Sequence, residues 1–125
     1  MLEDSPLVAF VGVADLAVAR RFYGETLGLP LRDELPYALV GDAHGTTLRI
    51  TAVPTPSRAP FTVLGWQVAD LDATVDELIG RGVRFLRYEA LDQDDRGLWE
   101  APGGTRVAWF TDPDGNVLSV NDRAG

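Results

Sequence analysis

The chain has 125 residues, 46% hydrophobic and 24% charged, the composition of an ordinary globular domain rather than of a disordered or membrane-spanning chain. Its formal net charge of −8 argues against nucleic acid and against an anionic membrane surface, since both are gripped mainly through Lys and Arg. There is no Cys, which excludes disulfides, a thiolate nucleophile and a thiolate metal site; a chain of this size can bury about two-thirds of its unfolded surface without them.

Residues 1–6 read as a loose lead-in. Residues 7–13 form the first expected strand, apolar on both faces and so expected to be covered on both. The longest apolar run, 7–14, is far too short to span a bilayer. No charged leader with a cleavage site precedes it, so a cytoplasmic location is expected. A helix is expected over 15–27, with Leu16, Ala19, Phe22, Tyr23 and Leu27 at helical spacing. A strand follows at 29–33, and Pro30 marks it as an edge or an irregular start. Residues 37–40 and 46–53 read as a hairpin around the loop 41–45. That loop holds His44, the one His, which in a turn is better explained as solvated than as functional.

Residues 54–60, with three prolines, are the expected linker. Beyond it come a strand at 61–68, a helix at 71–79 and a strand at 83–88. Residues 91–98 carry Asp92, Asp94 and Asp95 and read as an exposed acidic loop, the ordinary fate of a run of like charges. A short strand piece at Trp99–Glu100 precedes a closing hairpin, Arg106–Thr111 and 116–121. Its turn is Asp112-Pro113-Asp114-Gly115, with Asp, Pro and Gly at the turn positions that favour them.

The chain uses one pattern twice. Val-Ala-Asp-Leu occurs at 13–16 and at 68–71, each time followed by a helical pattern, a Gly (Gly28, Gly82) and a further strand. Asp15 and Asp70 stand where an N-cap is needed. Gly28 and Gly82 stand where a left-handed residue ends a helix. A repeat with a period of about half the chain implies two copies of one unit. The copies are expected at 1–53 and 61–125, each strand–helix–three strands, joined by 54–60 into one α+β domain.

These features resemble the vicinal oxygen chelate superfamily, which includes glyoxalase I, extradiol dioxygenases and bleomycin-resistance proteins. The resemblance rests on Val13-Ala14-Asp15-Leu16 with Arg21-Phe22-Tyr23 and Leu27-Gly28-Leu29, on Val68-Ala69-Asp70-Leu71 with Leu78 and Gly82-Val83, and above all on residues 104–116, Gly-Thr-Arg-Val-Ala-Trp-Phe-Thr-Asp-Pro-Asp-Gly-Asn. It covers nearly the whole chain. It implies two βαβββ units whose mixed sheets curl around a cup, with the helices outside and a small-molecule ligand within. It also implies a homodimer, often with cups built from both chains.

Metal-dependent members carry a His or Glu seven residues before the capping Asp, which here is Val8, with Val63 in the second copy. They carry a Glu four residues after the Gly of the closing turn, which here is Ser119. A fourth position falls near Arg49. Two valines, a serine and an arginine do not suit a divalent ion that takes oxygen or imidazole ligands. The resemblance therefore leans to the bleomycin-resistance branch, with no metal and no other cofactor.

Strand alternation then assigns the residues facing the cup. Val8 and Phe10 come from the first strand, Phe61, Val63 and Gln67 from the first strand of the second copy, and Ser119 and Asn121 from the last. Trp109 is expected either to join them, stacking on a ring, or to fill the core. Arg49 either meets a ligand's acidic group or faces solvent if the alternation slips by one. Trp99 is expected at the rim or at a dimer contact. No catalytic set is identified: nothing places His44 beside a serine, and Gly103-Gly104 is a turn rather than a phosphate loop. The expected function is metal-independent sequestration of an apolar or aromatic molecule, such as an antibiotic or toxic metabolite. The alternative is a glyoxalase-like lyase or isomerase, or a dioxygenase-like enzyme, with a displaced metal site.

Overall fold

A computed structural model describes residues 1–123. The chain divides into two compact units, the first Met1–Ser57 and the second from Arg58 onward. Each is strand–helix–three strands, so the expected α+β architecture of two βαβββ units is the observed one.

In the first unit β1 (Val8–Val13) leads into α1 (Leu16–Ala19). The strands β2 (Leu31–Glu34), β3 (Ala38–Ala43) and β4 (Thr46–Ala52) follow. The sheet order is β1-β4-β3-β2, with β1 and β4 parallel and the other pairs antiparallel. The strand expected at 29–33 starts at Leu31 instead, just after Pro30, which has no N–H to give a ladder, and it lies at the sheet edge as Pro30 implied.

Asp15 caps the first helix, its Oδ1 accepting from the N–H groups of Ala17 (2.8 Å) and Val18 (3.2 Å). The helix is not uniform, however. Arg20–Thr26 winds as a π-helix, closed by Leu27 N–H donating to the Phe22 carbonyl at 2.9 Å. The expected loop 41–45 is also tighter than the sequence suggested. His44 and Gly45 alone turn the chain, with φ of 51° and 89°. Positive φ at both central residues is what the twist of a two-residue hairpin demands. His44 is exposed there, as expected.

The second unit places β5 (Leu64–Gln67), α2 (Leu71–Gly80), β6 (Trp99–Glu100), β7 (Arg106–Thr111) and β8 (Val117–Asn121) in the sheet order β5-β8-β7-β6. Asp70 caps α2, accepting from Ala73 N–H at 3.0 Å. At the other end Gly82 has φ 93°; its N–H reaches the Ile79 carbonyl and that of Val83 the Leu78 carbonyl, both at 3.0 Å. That is the paired closure of a left-handed helix stop.

Two expectations for this unit are corrected. Residues 83–88 run beside β7 but form no ladder, and the Gln93 side chain takes backbone groups that a strand would offer. Only Leu86 N–H reaches β7, at the Trp109 carbonyl. The Gln93 amide meanwhile donates to the Leu86 and Gly97 carbonyls and accepts from Tyr88 N–H. The first strand is also shorter than 61–68, beginning at Leu64 and leaving Phe61 in a bend.

Each helix covers one face of its own sheet. In the first unit Val11, Val13, Leu39, Leu48 and Ile50 are buried together with Ala19 and Tyr23. In the second, Leu71, Val75 and Leu78 of α2 are buried with Ala108, Phe110, Leu118 and Val120. The contrast between neighbours on β1, Phe10 at 63% exposure and Val11 at 5%, fixes which face is which.

Candidate functional site

The face of the second sheet turned away from α2 gathers Gln67, Trp99, Trp109, Ser119 and Asn121, half of the site residues that the sequence singled out. Register places Gly65, Ser119 and Trp109 side by side on β5, β8 and β7. The next row on the same face is Gln67, Asn121, Val107 and Trp99. Of the two places open to Trp109, the structure selects this face rather than the core. Its ring lies 5.3 Å from Tyr88, nearly perpendicular at 89°, and 6.0 Å from Trp99 at 34°. Those are the separations at which aromatic pairs attract.

Tyr88 was not singled out from sequence. It reaches Trp109 because Gln93 holds the backbone of 86–88, and no local pattern announces that contact. Ser119 is 7% exposed and crowds Gly65, where an added Cβ would stand 2.8 Å from the Ser119 Oγ. A side chain at 65 would therefore require the Ser119 hydroxyl or the strand to move.

The polar side chains of these two rows, Gln67, Ser119 and Asn121, are uncharged. Asn121 Nδ2 donates to the Asp122 carbonyl at 2.8 Å, which fixes the amide and leaves its Oδ1 for other partners. Gln67 has no side-chain hydrogen bond among the described residues. The charges of this sheet lie on the helix side. Arg106 bonds Asp122 (3.0 Å) and Asp72 of α2 (2.9 Å), and Arg96 bonds Asp72 and Asp76. The side chains of Arg106 and then Arg96 hold the Asp72 carboxyl below the usual carboxylate range, and the Arg106 N–H first and its side chain second do the same for Asp122.

Val63 stands just before β5, its N–H donating to the Val117 carbonyl at 2.9 Å. Phe61 is 64% exposed and outside the ladder, so strand alternation does not assign its face, contrary to expectation.

In the first unit Val8, Phe10 and Arg49 lie on the face turned from α1, with Phe10 and Arg49 directly across from each other. Arg49 finds a partner that neither sequence alternative offered. Its Nη2 donates to Glu34 Oε1 at 2.9 Å, while Arg32 Nη1 reaches Glu34 Oε2 at 3.0 Å. Arg49 first, then Arg32, lowers the Glu34 pKa from its ordinary value. Beside this pair a cleft of about 440 Å³ is lined by Arg32, Val40, Asp42 and Thr47 among others.

The positions that the resemblance gives to metal ligands do not fit a divalent ion. Val8 and Val63 have no donor atom. Arg49 is itself a cation, already bonded to Glu34. Ser119 offers one neutral hydroxyl. Among the described residues no three His, Asp or Glu side chains are grouped to hold a metal elsewhere, and Asp94 is spent on its own loop, its Oδ1 accepting from Arg96 and Leu98 N–H groups at 2.9 Å. No helix among them is long and apolar enough to cross a membrane.

A comparison with curated proteins finds no significant match. Solved structures do match along the whole chain. A glyoxalase family protein from Enterococcus faecalis superposes with a TM-score of 0.74 at 19% identity, over 97% of this chain and 99% of that one. A glyoxalase/bleomycin resistance protein/dioxygenase superfamily member from Sphaerobacter thermophilus gives 0.72 at 22% identity, over 98% and 100%. An antibiotic-binding protein, TnmS3, from a Streptomyces species gives 0.69 at 26% identity, over 98% of both chains. The family model for the Glyoxalase/Bleomycin resistance protein/Dioxygenase superfamily matches residues 7–120, and the chain belongs to that superfamily.

Proposed function

We propose that this protein binds a small, mostly apolar aromatic molecule without a metal ion, and holds it rather than transforming it. The observation that carries the reading is the ring cluster of Trp109, Tyr88 and Trp99 on a sheet face that α2 leaves uncovered. Polar side chains at its margin can orient a guest, the usual make-up of a small-molecule site. Valines at two positions where relatives would need metal donors support binding without an ion. The likeness to an antibiotic-binding protein supports sequestration.

Stacking a ring on Trp109 removes about 100 Å² of apolar surface from water, about 2.5 kcal/mol before the cost of association. The neutral fluorescent probe N-phenylnaphthylamine tests this directly. It is expected to bind the purified chain, to bind about tenfold more weakly to Trp109→Ala with the far-UV spectrum unchanged, and to bind equally well after treatment with EDTA. Equal affinity for the parent and Trp109→Ala removes Trp109 from the site. Loss of binding on chelation overturns the metal-independent reading.

A further inference from the structure

We propose that the guest is an uncharged planar heteroaromatic whose edge carries a donor beside an acceptor, of the lactam or imide type, and that Gln67 and Asn121 read that edge. The inference rests on the binding reading above and narrows it to a chemical class.

Charge comes first. Neither cross-strand row of this face contains an ionisable side chain. Among the described residues Arg106 of β7 and Arg96 of the preceding loop lie on the opposite face, each bonded to carboxylates of Asp72, Asp76 or Asp122. A carboxylate or sulfonate seated against Trp109 would lose water and meet no counter-ion in either row. A protonated amine would meet the rings but no carboxylate on this face. Neutral guests escape both penalties.

Hydrogen bonding comes second. Gln67 and Asn121 are register partners on adjacent strands, about 4.8 Å apart across the ladder. Asn121 is held by its bond to the Asp122 carbonyl, so its Oδ1 is a positioned acceptor. The Gln67 carboxamide is a donor and an acceptor at once and is not engaged by another described side chain or backbone group. Asn121 is also the diagonal neighbour of Trp109, whose register partner is Ser119. A plane stacked on Trp109 and extending across β8 would meet Asn121 first and, one strand further, Gln67. A hydrocarbon would strip water from them and return nothing. A lactam or imide edge pairs with a carboxamide in both senses.

Four probes with nearly the same ring outline separate these claims, each read by displacement of N-phenylnaphthylamine from the full chain: carbostyril, N-methylcarbostyril, naphthalene and naphthoate. Carbostyril is expected to bind about tenfold tighter than naphthalene, with the N-methyl compound between them and naphthoate weakest. In Gln67→Leu, an exposed substitution that leaves the ring cluster intact, carbostyril and naphthalene are expected to converge to within about twofold, with naphthalene no weaker than before.

Naphthalene matching carbostyril in the parent overturns the proposed class and leaves the binding reading standing. So does a carbostyril preference that survives Gln67→Leu, or naphthoate binding tightest. If neither N-phenylnaphthylamine nor any of the four binds, the inference and the function beneath it fall together.

Discussion

Gly65 is the residue on which the candidate site is most sharply constrained. Its missing side chain leaves room for Ser119, whose Oγ would stand 2.8 Å from an added Cβ. Gly65→Ala is expected to destabilise the fold by about 1–3 kcal/mol, the usual cost of overpacking, and the double variant Gly65→Ala/Ser119→Ala to recover most of it. Urea denaturation of the three proteins measures both; a Gly65→Ala midpoint equal to the parent's shows that the strand simply shifts aside. The requirement for glycine was hidden in the sequence, because the atom that imposes it belongs to a distant strand. Alternation did place Gln67, Ser119 and Asn121 on one face, since it needs only a strand and its parity. It could not supply Tyr88, which lies outside any strand. Arg49 shows the same boundary of what is legible. An acidic partner for Arg49 follows from chemistry, but Glu34 lies one residue beyond the expected strand, where alternation assigns no face.

Elements were easier to read than contacts. The repeated Val-Ala-Asp-Leu gave both helix starts, because a cap is a short-range device whose donor and acceptor are close in sequence. Asp70→Ala is expected to cost about 1 kcal/mol through the bond to Ala73 N–H. Gly82→Ala is expected to cost about 1–2 kcal/mol, because φ 93° drives a Cβ against the following carbonyl. Measured separately and together by urea denaturation, the two losses should add, since they act at opposite ends of α2. A Gly82→Ala variant as stable as the parent overturns the left-handed stop as a stabilising element. The π-helical course of Arg20–Thr26 was not legible, because apolar residues at 19, 22, 23 and 27 suit either winding. Nor was the fate of 83–88, whose apolar pattern reads as a strand until Gln93 supplies the competing hydrogen bonds.

The whole chain carries a net charge of −8, yet its carboxylates do not all respond alike to acid. Glu34 in the first unit and Asp72 and Asp122 in the second are each held below their ordinary values by arginines. A carboxylate whose pKa is lowered on folding stabilises the native state at any pH above its unfolded value. That stability drains away as pH falls through the folded value, because the unfolded chain takes up the proton first. The unfolded values here are 4.5 for Glu and 3.8 for Asp, so the loss begins near there and runs lower. Relief of repulsion among the acids in general works the other way, but at about 0.15 M salt it is screened beyond about 8 Å, whereas the bonded pairs are much closer. The melting temperature is therefore expected to be nearly flat from about pH 7 to about pH 5 and to fall steeply toward pH 3. Asp72 joins Arg96 and Arg106 and has the most to lose. Asp72→Asn should melt lower than the parent at neutral pH, decline less steeply in acid, and meet the parent's curve at the acid end. Calorimetric melts of both proteins across that range decide it: curves that stay parallel would mean that the Asp72 charge contributes nothing to the acid limb, and that the arginines on the helix side of the second sheet hold their places by packing alone.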